Sequence, residues 1–258
     1  MKLAQFIFLI FIIYSIPLSA QKEKSNPALT NGEELYYKAY YKLGFIWIYS
    51  GNVHFSTNNI KYQDKDVYQF ISTGRSLAKY DWLYKVNDRF ESLAEKSSYQ
   101  PFLFERNTHE RNNFTHNRYL FDYSAKKIYT ETENENQSKT IDTIDFVEGT
   151  MDVLSAIYYC RNLDYADMEP DEKIPLKMVI NNQIYELFIH YLGIENIKNR
   201  EKQEYSCYKF SIRLVEGTMF KGGEELVVWL SKDDLRRPLV VSSKVMIGSV
   251  NAYLWQEE

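Results

Sequence analysis

The 258-residue chain contains only two cysteines, Cys160 and Cys207, and neither has a CxxC partner. That argues against a dithiol redox centre and against a four-ligand zinc site. One disulfide between the two stays open if the chain is exported, the alternative being two buried thiols. Histidine is scarce as well, at four residues. The sequence carries no GxSxG, HExxH, Walker loop or GxGxxG in a strand-turn-helix context. No catalytic residue, metal or cofactor is therefore expected, and the chain reads as a non-enzyme. An excess of basic charge is missing too. The formal net charge is -4 with Lys and Arg scattered, so no field attracts phosphates and nucleic acid is not an expected partner. Beyond the first twenty residues no apolar run reaches membrane-spanning length.

Those first twenty residues are distinctive. Lys2 precedes an unbroken apolar stretch from Phe6 to Ile13, followed by Pro17 and the small pair Ser19-Ala20, the pattern of a secretory leader. Residues 1-20 are read as a signal peptide, residues 21-32 as a polar flexible arm with Pro27, and residues 33-258 as a single β-rich domain. The expected location is the periplasm or the cell envelope, with no transmembrane segment once the leader is removed.

Aromatic residues make up 16% of the chain, led by 22 Tyr, which suits half-buried strand surfaces. Runs such as Leu35 to Tyr41, Phe45 to Tyr49 and Val53 to Phe55 are separated by Gly44 and Gly51 and read as strands joined by turns or bulges. Pro101 to Tyr123 reads as a hairpin. With Asn112-Asn113 as its turn, Arg106 faces Tyr119, Phe104 faces Phe121, Phe102 faces Tyr123, and His109 lies opposite His116. Two histidines alone make a poor metal site, and an exposed cross-strand pair is the preferred account. Ser76 to Tyr84 has the spacing of one short helix, and Thr150 stands as the N-cap of a longer one reaching about Asn162. Met151, Leu154, Ile157, Tyr158 and Arg161 then share a stripe suited to packing on a sheet. Asp233-Asp234 reads as a turn, and carboxylates elsewhere are too numerous to single out a catalytic pair. The expected fold is mainly β: a curved antiparallel sheet or half-open barrel with one main helix and a short helix packed on it.

Three segments carry a resemblance. Met151 to Arg161, Glu225 to Pro238 (ELVVWLSKDDLRRP) and Lys244 to Leu254 (KVMIGSVNAYL), with Tyr40 to Gly51 and Val86-Asn87-Asp88, resemble the DUF3108 family of exported bacterial proteins. The resemblance implies an architecture like that of periplasmic lipoprotein carriers, in which a curved sheet wraps helices and shelters an apolar cavity, and it implies no catalytic motif. The leader and composition suit a Bacteroidetes-type envelope protein, and Asp142-Thr143-Ile144 resembles that group's short O-glycosylation acceptor.

On this basis a lipid or acyl chain is the leading expected ligand. Leu154, Ile157, Tyr158 and Arg161 from the helix and Phe102, Phe104, Tyr119 and Phe121 from the hairpin are the expected lining. For Arg161 the preferred account is a charge paired with a nearby carboxylate or the helix's last carbonyls, the alternative being an anion contact at the mouth of a cavity. Two alternatives belong to other classes: a non-catalytic envelope module that binds a protein or glycan, and a hydrolase with dispersed groups.

Overall fold

The computed structural model describes residues 29-200, 202-213, 225-245 and 247-255. The expected leader and most of the arm lie outside the described residues. Within them the chain forms one sheet of fifteen strands. The first arm is a meander: β1 (Glu33–Leu43), β2 (Ile46–Tyr62), β3 (Lys65–Ser76), β4 (Asn87–Glu95), β5 (Pro101–Glu110), β6 (Asn113–Asp122), β7 (Lys127–Asn134) and β8 (Gln137–Asp145). A two-residue strand, β9 (Thr150–Met151), begins the second arm, followed by β10 (Lys173–Ile180), β11 (Gln183–Lys198), β12 (Glu204–Arg213), β13 (Glu225–Ser231), β14 (Pro238–Lys244) and β15 (Ser249–Trp255). In space the order runs β8 to β1, then β15 back to β9, so the first and last strands pair at the centre. All pairings are antiparallel except β9 with β10. The edges β8 and β9 do not pair, and the sheet curves without closing into a barrel.

Glycine explains two places where strands continue through an apparent break. β2 runs through Gly51, where the pairing with β1 shifts register between Ala39 and Tyr40. A Cβ at Gly51 would lie 2.5 Å from the Arg75 carbonyl oxygen, so only glycine admits the neighbouring strand. β11 likewise passes through a register shift at Gly193, whose φ is +93°.

Three local expectations are corrected. The β5–β6 turn is Arg111-Asn112, with Arg111 at φ 55°, and not Asn112-Asn113. Phe104 therefore pairs with Tyr119, Arg106 with Asn117, and His109 with Phe114, while His116 falls opposite Asn107. A slip of two residues preserves which side chains share a face and changes only their partners, so the histidine pair dissolves. The main helix, α2 (Val153–Arg161), is capped by Asp152 and not by Thr150, which belongs to β9. The Asp152 carboxylate accepts from the backbone N–H groups of Leu154 and Ser155 at 2.8 and 3.0 Å, and from the hydroxyls of Ser92 and Ser155. Ser76 to Tyr84 divides into a 3-10 turn and the one-turn helix α1 (Asp81–Tyr84).

The helix α2 packs against β3, β4 and β10, between the two arms. Leu154 and Tyr158 enter one apolar cluster with Phe70, Phe104 and Tyr119, while Ala156 and Cys160 enter a second with Met178, Ile189 and Phe210. One nine-residue element thus supplies both halves of the core, and burial of Leu154 alone is worth about 1.5–3 kcal/mol. The disulfide left open by the sequence does not form. Both thiols are free and buried, Cys160 in the second cluster and Cys207 in a third beside Leu239 and Val240. Burial raises the Cys160 thiol to about 12 and the Cys207 thiol to about 11, so neither is a ready nucleophile.

Candidate functional site

The concave side of the sheet and α2 enclose a cavity of about 1190 Å³. Its lining follows from strand alternation. On β5 the residues Phe104, Arg106, Thr108 and Glu110 face inward, and on β6 Asn113, Thr115, Asn117 and Tyr119 do the same. The opposite arm contributes Met178 and Ile180 from β10, Phe210 and Ile212 from β12, and Leu226 and Val228 from β13. Val153, Ile157 and Tyr158 form the helical wall.

Chemistry grades along this space. Around α2 the wall is aromatic and aliphatic. Toward the end where β5 finishes and β6 begins it becomes polar, with Asp88, Arg106, Glu110 and Asn117. The Asn181-Asn182 turn between β10 and β11, with φ of 48° and 61°, reaches across to this end from the other arm. Arg106 donates to Asn181 Oδ1 at 3.1 Å, Thr132 donates to Asn182 Oδ1 at 3.2 Å, and the Asn182 N–H donates to the Tyr119 hydroxyl at 3.4 Å. The turn joins arms whose edge strands do not pair.

Tyr158 is a fixed wall. Its ring stacks on Phe70 with centroids 3.8 Å apart, and its hydroxyl accepts from Thr57 at 2.9 Å. Burial pushes that hydroxyl up to about 12, so it stays neutral. Arg161 also borders the cavity, but its guanidinium is engaged. It donates to both Glu33 carboxylate oxygens at 2.7 and 2.9 Å, to the Leu235 carbonyl at 3.0 Å and to the Arg236 carbonyl at 3.2 Å. Burial would lower its pKa, and the Glu33 contacts outweigh that and raise it. It is the paired structural charge of the two accounts, not a free anion contact.

The polar end holds the groups with perturbed ionisation. Burial, reinforced by the Glu110 charge, pushes the Asp88 carboxyl up to about 6, against the pull of the His109 N–H and Arg106. Tyr84 donates to Glu110 at 2.9 Å, and burial together with that bond raises its hydroxyl to about 12. Arg106 gives Nη2 to Asn117 and Asn181, while its buried Nε has no hydrogen-bond partner. Burial lowers its pKa, opposed by the more distant Tyr119, Glu110 and Asp88.

Of the residues expected to line a cavity, Phe104, Tyr119, Ile157, Tyr158 and Arg161 border it. Leu154 and Phe121 lie in the packed cluster behind the wall. Phe102 departs from the inner face. It is the extra residue of a bulge, since Leu93 pairs with Leu103 and Ala94 with Pro101, and its ring packs beside Tyr62 and Tyr123 with Lys65 over it. The β10 to β13 wall was not anticipated, and neither was Arg106. The available signal was alternation, because Arg106 is two residues from Phe104 and shares its face.

Two large apolar side chains stand out in solvent. Phe45 at the β1–β2 tip is 92% exposed and Trp82 of α1 is 81% exposed. Asp142-Thr143-Ile144 lies on the edge strand β8 with Thr143 exposed. Among the described residues no helix is long and apolar enough to cross a membrane.

Residues 36–254 match the family described as "Protein of unknown function (DUF3108)". None of the curated proteins compared matches the chain. Among solved structures, the crystal structure of a β-barrel-like protein of domain of unknown function DUF1849 from Brucella abortus is similar, with a TM-score of 0.55 and 7% identity over 86% of this chain and 95% of that one. That likeness concerns the fold.

Proposed function

The chain belongs to the DUF3108 family, a family of proteins of unknown function, and on that footing we propose that it is an exported, non-catalytic carrier that shelters an apolar ligand such as a lipid or acyl chain. The observation that carries this reading is the cavity of about 1190 Å³ between α2 and the sheet, whose inner wall is built from Phe90, Phe104, Ile157, Met178 and Phe210. Apolar pockets that hold small ligands are about 300–1,000 Å³, so the space is ample for a chain-like molecule. Export is supported by the leader pattern from Lys2 to Ala20, which suits delivery to the periplasm or envelope.

Native mass spectrometry of protein purified from its own envelope, with mass analysis of an organic extract of the same sample, tests the proposal. A stoichiometric apolar adduct is expected. An adduct-free mass with an empty extract, together with no uptake of added fatty acid, would overturn it. One observation favours a second reading, that of an interaction module: Phe45 and Trp82 stand almost fully in solvent. Crosslinking to an envelope protein or glycan, lost on Phe45→Ser, would favour that reading.

A further inference from the structure

We infer that the polar end of the cavity is an anion site, in which Arg106 receives the monoanionic head of a ligand whose apolar chain lies against the inner wall. The inference rests on the carrier reading above and adds the class of ligand.

Three arginines border the cavity; Arg213, at the end of β12, is exposed to solvent, and the states of Arg106 and Arg161 differ. Arg161 has a bidentate carboxylate and two carbonyls. Arg106 has two neutral amide oxygens, from Asn117 and Asn181, on one nitrogen, and a buried Nε with no acceptor. A guanidinium carries five donors, and burying its charge without an anion is costly. Folded proteins normally meet that cost with a carboxylate in contact. Here Asp88 and Glu110 line the same end but form no hydrogen bond to Arg106 among the described residues. Asp88 accepts from the His109 N–H and Glu110 from Tyr84. The fork therefore keeps capacity for a ligand oxygen.

Position fixes which way such a ligand lies. Along the inner face of β5 the order is Phe104, Arg106, Thr108, Glu110, so Arg106 marks the boundary between apolar wall and polar mouth. A carboxylate or phosphodiester bound there leaves its chain against Phe104, Phe90 and Ile157, which satisfies both halves of an amphiphile. The nearby carboxylates of Asp88 and Glu110 repel a second negative charge, so a monoanion is favoured over a dianion. Asn117 and Asn181 hold the guanidinium in place from one arm and from the turn of the other, which limits the side-chain entropy lost on binding.

The test compares three probes of similar chain length by isothermal titration calorimetry on the full chain without its leader: palmitate, a palmitoyl lysophosphatidylglycerol and hexadecanol. Both anions are expected to bind roughly ten- to a hundredfold more tightly than the alcohol. The tighter of the two identifies a free fatty acid or a phosphodiester lipid as the source. Arg106→Gln should abolish the preference while leaving hexadecanol affinity unchanged, and Arg106→Lys should retain part of it. Unchanged alcohol binding by Arg106→Gln doubles as the check that the variant is folded. Equal affinities for all three probes in the wild type, or a preference that survives Arg106→Gln, would overturn the anion site while leaving the carrier reading intact. Failure of every probe to bind would overturn both.

Discussion

Arg161 at the end of α2 and Glu33 at the start of β1, 128 positions apart in the chain, form a buried bidentate ion pair with nitrogen–oxygen distances of 2.7 and 2.9 Å. The pair fastens the helix to the central strand of the sheet, and the carbonyls of Leu235 and Arg236 in the β13–β14 turn also accept from the guanidinium. Glu33→Gln leaves a buried guanidinium without its anion and is expected to cost about 3–5 kcal/mol. Urea unfolding followed by circular dichroism reads the loss directly. A change below 1 kcal/mol would show that the other partners of Arg161 satisfy it without the carboxylate.

The cap at the other end of α2 makes a separate prediction. Asp152 accepts four hydrogen bonds, two of them from backbone N–H groups in the first turn of the helix. Asp152→Ala should lower stability by about 2 kcal/mol, since it removes the cap and the carboxylate acceptor of the Ser92 and Ser155 hydroxyls, leaving those two only their mutual bond at 3.0 Å. Thr150→Ala, by contrast, should cost less, its hydroxyl bonding only to the Val147 carbonyl.

Ligand retention and folding should separate at Ile157, which borders the cavity and is only partly buried. Ile157→Trp projects bulk into the ligand space and is expected to cut palmitate uptake at least tenfold with a change in stability of no more than about 1.5 kcal/mol. Leu154→Ala, in the packed cluster behind the wall, should do the reverse and cost about 2–5 kcal/mol. Measuring melting temperature and uptake on both variants distinguishes wall from core.

Asp88 gives a pH dependence. Its carboxyl is raised from 3.8 to about 6, so the folded protein holds a proton in that interval that the unfolded chain has released. Folding stability therefore falls as pH rises from about 4 to about 6, and the penalty persists above that range. Asp88→Asn removes the charge and can keep the acceptor for the His109 N–H. After allowance for water at the mouth, the variant should be more stable than wild type by about 1 kcal/mol at pH 7.5 and equal to it near pH 4. Paired denaturation curves at the two pH values check the sign.

Free thiols predict a redox result. With Cys160 and Cys207 buried in different clusters, a reductant should leave the melting temperature unchanged. Titration with Ellman's reagent should find two reactive thiols per chain in denaturant and close to none in native protein.

The sheet was legible in the sequence because inward and outward residues alternate in composition as well as in position, as in Phe104 and Tyr119 on one face of the β5–β6 hairpin. Details with competing local solutions were less legible. Arg111-Asn112 and Asn112-Asn113 are both acceptable two-residue turns, and the choice follows from the whole β4 to β7 register. Thr150 and Asp152 are both good caps, and the pairing of Thr150 with Lys177 on β10 decides between them. The β10 to β13 wall could not be assigned from the chain alone, because nothing local tells a strand facing a cavity from one facing a packed core. Arg161 and Arg106 show the same limit: both are single arginines beside aromatic residues, and only the fold brings Glu33 to one of them.

The central pairing of β1 with β15 also constrains how the chain can reach this structure. Tyr41 and Ile247, hydrogen-bonded across this seam, are 206 residues apart, and Tyr36 pairs with Trp255 near the carboxyl end. Each arm is a meander that can assemble from neighbours as it emerges, but β1 keeps one open edge until the last strand has been made. Contacts of such long sequence separation slow folding and leave strand edges exposed meanwhile. A chain truncated before Ser249 should therefore be prone to aggregation even though both arms are largely present, because β1 then keeps open the edge that this seven-residue strand covers.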